Sequence, residues 1–114
     1  MYFCTRNKTD KKMRRPEIVA RISEVMHRQH PEAEVILYGS EARGDARADS
    51  DIDLLILLDQ DRISLSDRMS VRRPLYDIEL DSGVIISSFL DTVSQWNSRT
   101  TEFTENVRKE GIRL

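Results

Sequence analysis

The stretch that most constrains this 114-residue chain is DIDLLILL, Asp51 to Leu58. Its aliphatic residues occupy both phases of a two-residue alternation, so a strand made from them has no face suited to water. Such a strand belongs in the middle of a sheet, covered on both sides by other elements. Asp51 and Asp53, at its start, are two residues apart in an extended chain and therefore project from the same face.

Short elements are predicted around it. Pro16 to about Gln29 reads as a helix: Ile18, Val19, Ile22, Val25 and Met26 share one face, Pro16 suits the first turn, and Pro31 stops it. EVILY, Glu34 to Tyr38, is short, apolar and β-branched and runs into Gly39, as a strand would. Ser64 to Ser82 carries mixed signals. Leu65, Met69 and Arg72 suggest helix, whereas Tyr76, Ile78 and Leu80 alternate with acids; a helix is the reading adopted, with Pro74 able to start a helical segment and Gly83 able to end one. Val84 to Leu90 reads as a third strand and Arg99 to Glu110 as a last helix, with Phe103 and Val107 four residues apart and Gly111 as its stop.

Composition removes several classes of function. With 39% hydrophobic and 33% charged residues, the chain has the make-up of one soluble globular domain. No apolar run approaches the roughly 20 residues that span a bilayer, and the N-terminus lacks the apolar centre of a secretory signal, so a cytoplasmic protein without membrane contact is expected. Cys4, the single cysteine, reads as an incidental thiol. Residues 1–30 hold eight Lys/Arg against three Asp/Glu, while residues 31–91 hold six against fourteen. An acidic middle with few aromatics disfavours a nucleic-acid surface, and the basic start reads as the solvated flank of the first helix. A domain of this size leaves roughly a third of its surface unburied, so a partner or a homo-oligomer would be a natural supplement.

The chemistry concentrates in LYGSEARGDARADSDIDLLILL, Leu37 to Leu58. Two carboxylates on one strand face repel each other unless a cation lies between them, and Mg²⁺ favours a few carboxylate oxygens completed by water and phosphate. Gly39 and Ser40 leave the preceding strand at a helix start, where a bare Cα, a hydroxyl and main-chain N–H groups can cradle phosphate oxygens. Arg43 and Arg47 can add cationic contacts to a triphosphate, or form surface ion pairs with Glu41, Asp45 or Asp49. Phosphate at one end and a cation at the other describe a nucleotide–Mg²⁺ site.

Gly39-Ser40, ten residues, then Asp51-Ile52-Asp53 resembles the signature of the nucleotidyltransferase superfamily that includes the DNA polymerase β palm. GSEARGDARADSDIDLLI is similar to its smallest prokaryotic branch, the minimal nucleotidyltransferases, with Glu41 altering the usual GSRARG, and Asn106 to Leu114 (NVRKEGIRL) extends the likeness along the chain. The resemblance implies an α/β (α+β) fold, a small mixed β-sheet packed against helices, with residues 14–114 as the nucleotidyltransferase domain and residues 1–13 as a flexible lead-in. It implies that Gly39, Ser40 and Arg43 bind the triphosphate and that Asp51 and Asp53 bind Mg²⁺. An acceptor hydroxyl would then attack the α-phosphorus of ATP or another nucleoside triphosphate, transferring AMP in the case of ATP. The acceptor implied is a partner protein, such as the small helical HEPN-type proteins with which this branch is often paired. The alternative is a catalytically weak, antitoxin-like or regulatory binding module of the same fold. The two are separated by a third carboxylate that family members carry on a later strand: Val84 to Leu90 has Ser87 and Ser88 there and no acid, and Asp77 or Glu79 would serve only if placed differently.

Other motifs fail on the same stretch. Asp49, Asp51 and Asp53 match positions one, three and five of a calcium-binding EF-hand loop, but Leu54 and Gln60 stand where Gly and Glu are needed. Gly39 and Gly44 have P-loop spacing but are followed by Asp45 and Ala46 instead of Lys and Ser/Thr. His27 and His30 read as helix-end or surface residues, and Trp96 and Phe103 as packing residues.

Overall fold

The computed structural model describes residues 13–114; of the expected lead-in over residues 1–13 only Met13 lies among the described residues, and Cys4 lies outside them. The elements are α1 (Pro16–Gln29), β1 (Glu34–Tyr38), α2 (Gly39–Arg43), β2 (Ile52–Leu58), α3 (Leu65–Ser82), β3 (Ile86–Thr92), α4 (Val93–Ser98), α5 (Glu102–Glu110) and β4 (Ile112–Arg113). The strands form one sheet in the order β3-β2-β1-β4, with β2 and β3 parallel and the other pairs antiparallel. This is the mixed sheet packed against helices that the sequence led one to expect.

β2 lies between two partners, and Leu54 to Leu58 are all buried. Ile52, Leu54 and Ile56 meet Val19, Ile22 and Met26 of α1 and Val71, Leu75 and Ile78 of α3. Leu55 and Leu57 point to the opposite side and pack with Trp96 of α4 and Val107 of α5. The double-phase aliphatic pattern is thus explained by helices on both faces. Fully burying each such side chain contributes roughly 1.5–3 kcal/mol.

The ambiguous stretch after β2 is helical because its start is doubly capped. The Ser64 hydroxyl accepts from Asp67 N–H at 3.0 Å, and Ser64 N–H donates to the Asp67 carboxylate at 2.9 Å. Pro74 does not start a segment; it lies inside α3. A proline cannot donate to the carbonyl four residues back, here Ser70. The His30 ring Nε2 lies 3.1 Å from that oxygen, which gives the histidine at the end of α1 a structural role.

Two boundaries differ from expectation. β3 runs from Ile86 to Thr92 instead of from Val84 to Leu90, after Gly83 ends α3 at φ 75°. The helix expected over Arg99–Glu110 begins only at Glu102, since the Thr101 hydroxyl accepts from Thr104 N–H and starts α5 there, and a separate short helix, α4, precedes it. Trp96 is fully buried as a packing residue, while Phe103 packs its ring edge-on against it, with 6.0 Å between centroids, and stays 41% exposed. Among the described residues no helix is long and apolar enough to cross a membrane.

Candidate active site

β1 and β2 are antiparallel, with Tyr38 opposite Asp53. The residue after Tyr38 is therefore delivered to the start of β2, and that residue is Gly39, the first of α2. Its φ is 76°, a left-handed conformation that side-chain-bearing residues rarely adopt. A Cβ built on Gly39 would overlap a carboxylate oxygen of Asp53 and lie 3.2 Å from its carboxyl carbon. The two halves of the motif, separated by ten residues in sequence, are thus in direct contact.

Asp51 is exposed and Asp53 half-buried, and both belong to the phase of β2 that faces α4 and α5. Burial pushes the Asp53 carboxyl above its usual range; the charges of Asp51 and Glu110 push the same way, and Arg43 opposes them. The Tyr38 hydroxyl is also pushed up, by burial first and then by Asp53 and Glu110. Ser40 follows Gly39 in the same short helix.

Arg43, at the end of α2, donates to Glu110 of α5 at 3.0 Å and to Asp45 at 3.3 Å. The Glu110 hydrogen bond is the main reason its guanidinium is held even more firmly protonated. Arg47 is exposed, and its backbone N–H donates to the Ser50 hydroxyl at 2.9 Å. Glu110 was not legible as a neighbour of Asp53. Its only sequence signal is its place in the segment Asn106 to Leu114, whose strand β4 returns to pair with β1.

Glu41 is fully buried, which the motif alone does not explain. Its two oxygens accept from Arg15 N–H at 2.7 Å and from Arg15 Nε at 2.8 Å. A buried ion pair therefore ties the segment before α1 to α2 and fixes the helix that carries Gly39 and Ser40.

The register of β2 and β3 sets Ser87 beside Asp53. With its shifted boundary, β3 does contain an acid, Asp91, but this pairs in register with Leu57, four residues beyond Asp53, or roughly 13 Å along the strand. Asp91 is buried and bonded to Arg99. Glu79 of α3 accepts from Ile86 N–H and pairs with Arg72, on the other side of the sheet. Among the described residues no group of three or more His, Cys, Asp or Glu side chains is arranged to hold a metal. Two carboxylates beside a glycine–serine turn, with Asp51 exposed and Asp53 and Ser40 half-buried, suit Mg²⁺ that takes its remaining ligands from water and a bound triphosphate.

A mixed sheet with a glycine–serine turn abutting a paired carboxylate defines a domain of the nucleotidyltransferase class. The chain belongs to the nucleotidyltransferase domain family, whose model matches residues 19–111. No curated protein matches the sequence. Several solved structures share the fold, among them the following three. A toxin–antitoxin with AMP-PNP is 22% identical, with a TM-score of 0.55, and the match covers 82% of this chain and 69% of that one. A candidate nucleotidyltransferase from Sulfolobus solfataricus is 23% identical, with a TM-score of 0.54, over 85% of this chain and 76% of that one. A mutant of the toxin–antitoxin MntA-HpeT is 20% identical, with a TM-score of 0.54, over 82% and 69%.

Proposed function

We propose that this domain transfers a nucleotidyl group, AMP from ATP, to a hydroxyl on a partner protein, with Mg²⁺ as cofactor. The observation that carries this reading is the contact between Gly39 and Asp53, which makes one surface of the turn and the carboxylate pair. Ser40 and the N–H groups at the start of α2 would hold the triphosphate oxygens, and Arg43 would exchange part of its pairing with Glu110 for a phosphate contact. Asp51 and Asp53 would hold Mg²⁺, which when bound offsets charge on the phosphates. The acceptor oxygen bonds to the α-phosphorus as the bond to the bridging oxygen breaks and pyrophosphate leaves. The hydroxyl proton passes to solvent, since Ser87, the neighbour of Asp53 on β3, is no base.

The partner reading is supported by the toxin–antitoxin relatives of the fold, and a small helical HEPN-type protein is the partner we favour. One observation favours a second reading, a weakly catalytic module acting by contact: the serine at position 87 where a third carboxylate would sit. Incubation of the purified protein with α-labelled ATP, Mg²⁺ and lysate of the native host separates them. Transfer of label to a protein band, dependent on Mg²⁺ and lost in Asp53→Asn, is the expected result. A stable complex without label would establish the contact reading, and neither label nor complex would overturn both.

A further inference from the structure

Helix α3 is apolar on two opposite sides. Its inner side, Val71, Pro74, Leu75 and Ile78, is buried. Its outer side carries Leu65, Met69, Tyr76 and Leu80, which are 72%, 65%, 52% and 68% exposed. At about 100° per residue these four fall within a sector of about 60° and extend along about 22 Å of helix. Large apolar side chains aligned in this way form a contact patch, unlike singly scattered surface residues.

We propose that this stripe joins two copies of the chain through an antiparallel pairing of their α3 helices. Its spacing reads the same in both directions, Leu-x3-Met-x6-Tyr-x3-Leu. A twofold axis passing between Arg72 and Arg73 therefore sets Leu65 of one copy against Leu80 of the other, and Met69 against Tyr76. Self-complementarity of this kind is what an isologous dimer requires.

The charges of one flank fit this arrangement. One flank of the stripe carries Arg68 and Glu79, and the other carries Arg73 and Asp77. Antiparallel helices meet like flank to like flank, so Arg73 meets its own copy beside the axis and each of the two comes within reach of Asp77 of the other copy, a cluster without net charge. Arg72, closest to the twofold axis on its flank, is already paired with Glu79 at 2.7 Å. α3 covers the sheet face opposite to the one that bears Asp53, so the dimer leaves both candidate sites open. A single helix pair buries less than the roughly 1,600 Å² of a standard interface, so association is expected in the micromolar range.

Sedimentation of the full chain across the micromolar range tests this, together with Met69→Glu, which alters an exposed residue and whose fold is checked by circular dichroism. The parent is expected to move from monomer to dimer and the variant to stay monomeric. Orientation is read in a Cys4→Ser background: Arg73→Cys, close to the axis, is expected to form a disulfide-linked dimer on mild oxidation, and Leu65→Cys, far from its own copy, is not. A parent that stays monomeric, or dimerises only when a different protein is added, overturns the proposal. So does a dimer that survives Met69→Glu, or one that cross-links through Leu65→Cys and not through Arg73→Cys.

Discussion

Gly39 and Asp53 leave no room for one added carbon between them. The contact arises because β1 and β2 pair with Tyr38 opposite Asp53, and it joins the turn to the carboxylates. Substituting Gly39 therefore strains the backbone and displaces the carboxylate at once. Gly39→Ala is expected to cost roughly 1–2 kcal/mol for the left-handed backbone alone, measured by urea unfolding. It should also abolish Mg²⁺-dependent ATP binding in calorimetry; a variant that binds like the parent would show that the phosphate site lies elsewhere.

The Asp53 carboxyl is pushed up in the fold by burial and by Asp51. Its charged form is therefore less welcome folded than unfolded, and the stability it contributes, complete below the unfolded pKa, is lost as pH rises through the raised folded value. Without Mg²⁺, Asp53→Asn should melt at a higher temperature than the parent at neutral pH. The advantage should shrink as pH falls to about 4, near the ordinary aspartate pKa. With Mg²⁺ and ATP only the parent should gain stability. An Asn variant melting below the parent at neutral pH without metal would contradict this account.

Arg15 and Glu41 are both buried and bound to each other. Arg15 Nη2 lies 2.8 Å from Glu41 Oε1 as an ion-pair contact without hydrogen-bond geometry. Glu41→Ala leaves a buried guanidinium unpaired and is expected to cost roughly 3–5 kcal/mol in urea unfolding. Replacing both partners, Arg15→Met with Glu41→Leu, should recover most of that loss. Equal losses in the single and double variants would mean that the pair is not what couples α2 to the segment before α1.

Ser87 stands beside Asp53 in register and is exposed. Ser87→Asp places a third carboxylate where a base can take the acceptor proton. Transfer in the labelling assay should rise, by up to the roughly 10²-fold at the lower end of general-base catalysis. An unchanged rate would show that proton removal does not limit turnover.

The chain order of Gly39, Ser40, Asp51 and Asp53 and the double-phase run of β2 were legible from residue types alone. A covered central strand and a carboxylate pair on one strand face are local patterns, set by the two-residue repeat of an extended chain. The helix over Leu65–Ser82 was legible only in outline, since its outward Tyr76 and Leu80 imitate strand alternation and the deciding cap, Ser64 with Asp67, lies at its far end. Three features belong to the tertiary structure. Glu110 reaches Arg43 because α5 ends where β4 joins β1. Arg15 finds Glu41 across 26 residues. The place beside Asp53 falls to Ser87, while the acid of β3, Asp91, lies at the other end of the strand. Sequence fixes which side of a strand a residue faces. How far neighbouring strands slide along each other is decided by the packing of both sheet faces, and that offset determines which residue stands next to the carboxylates.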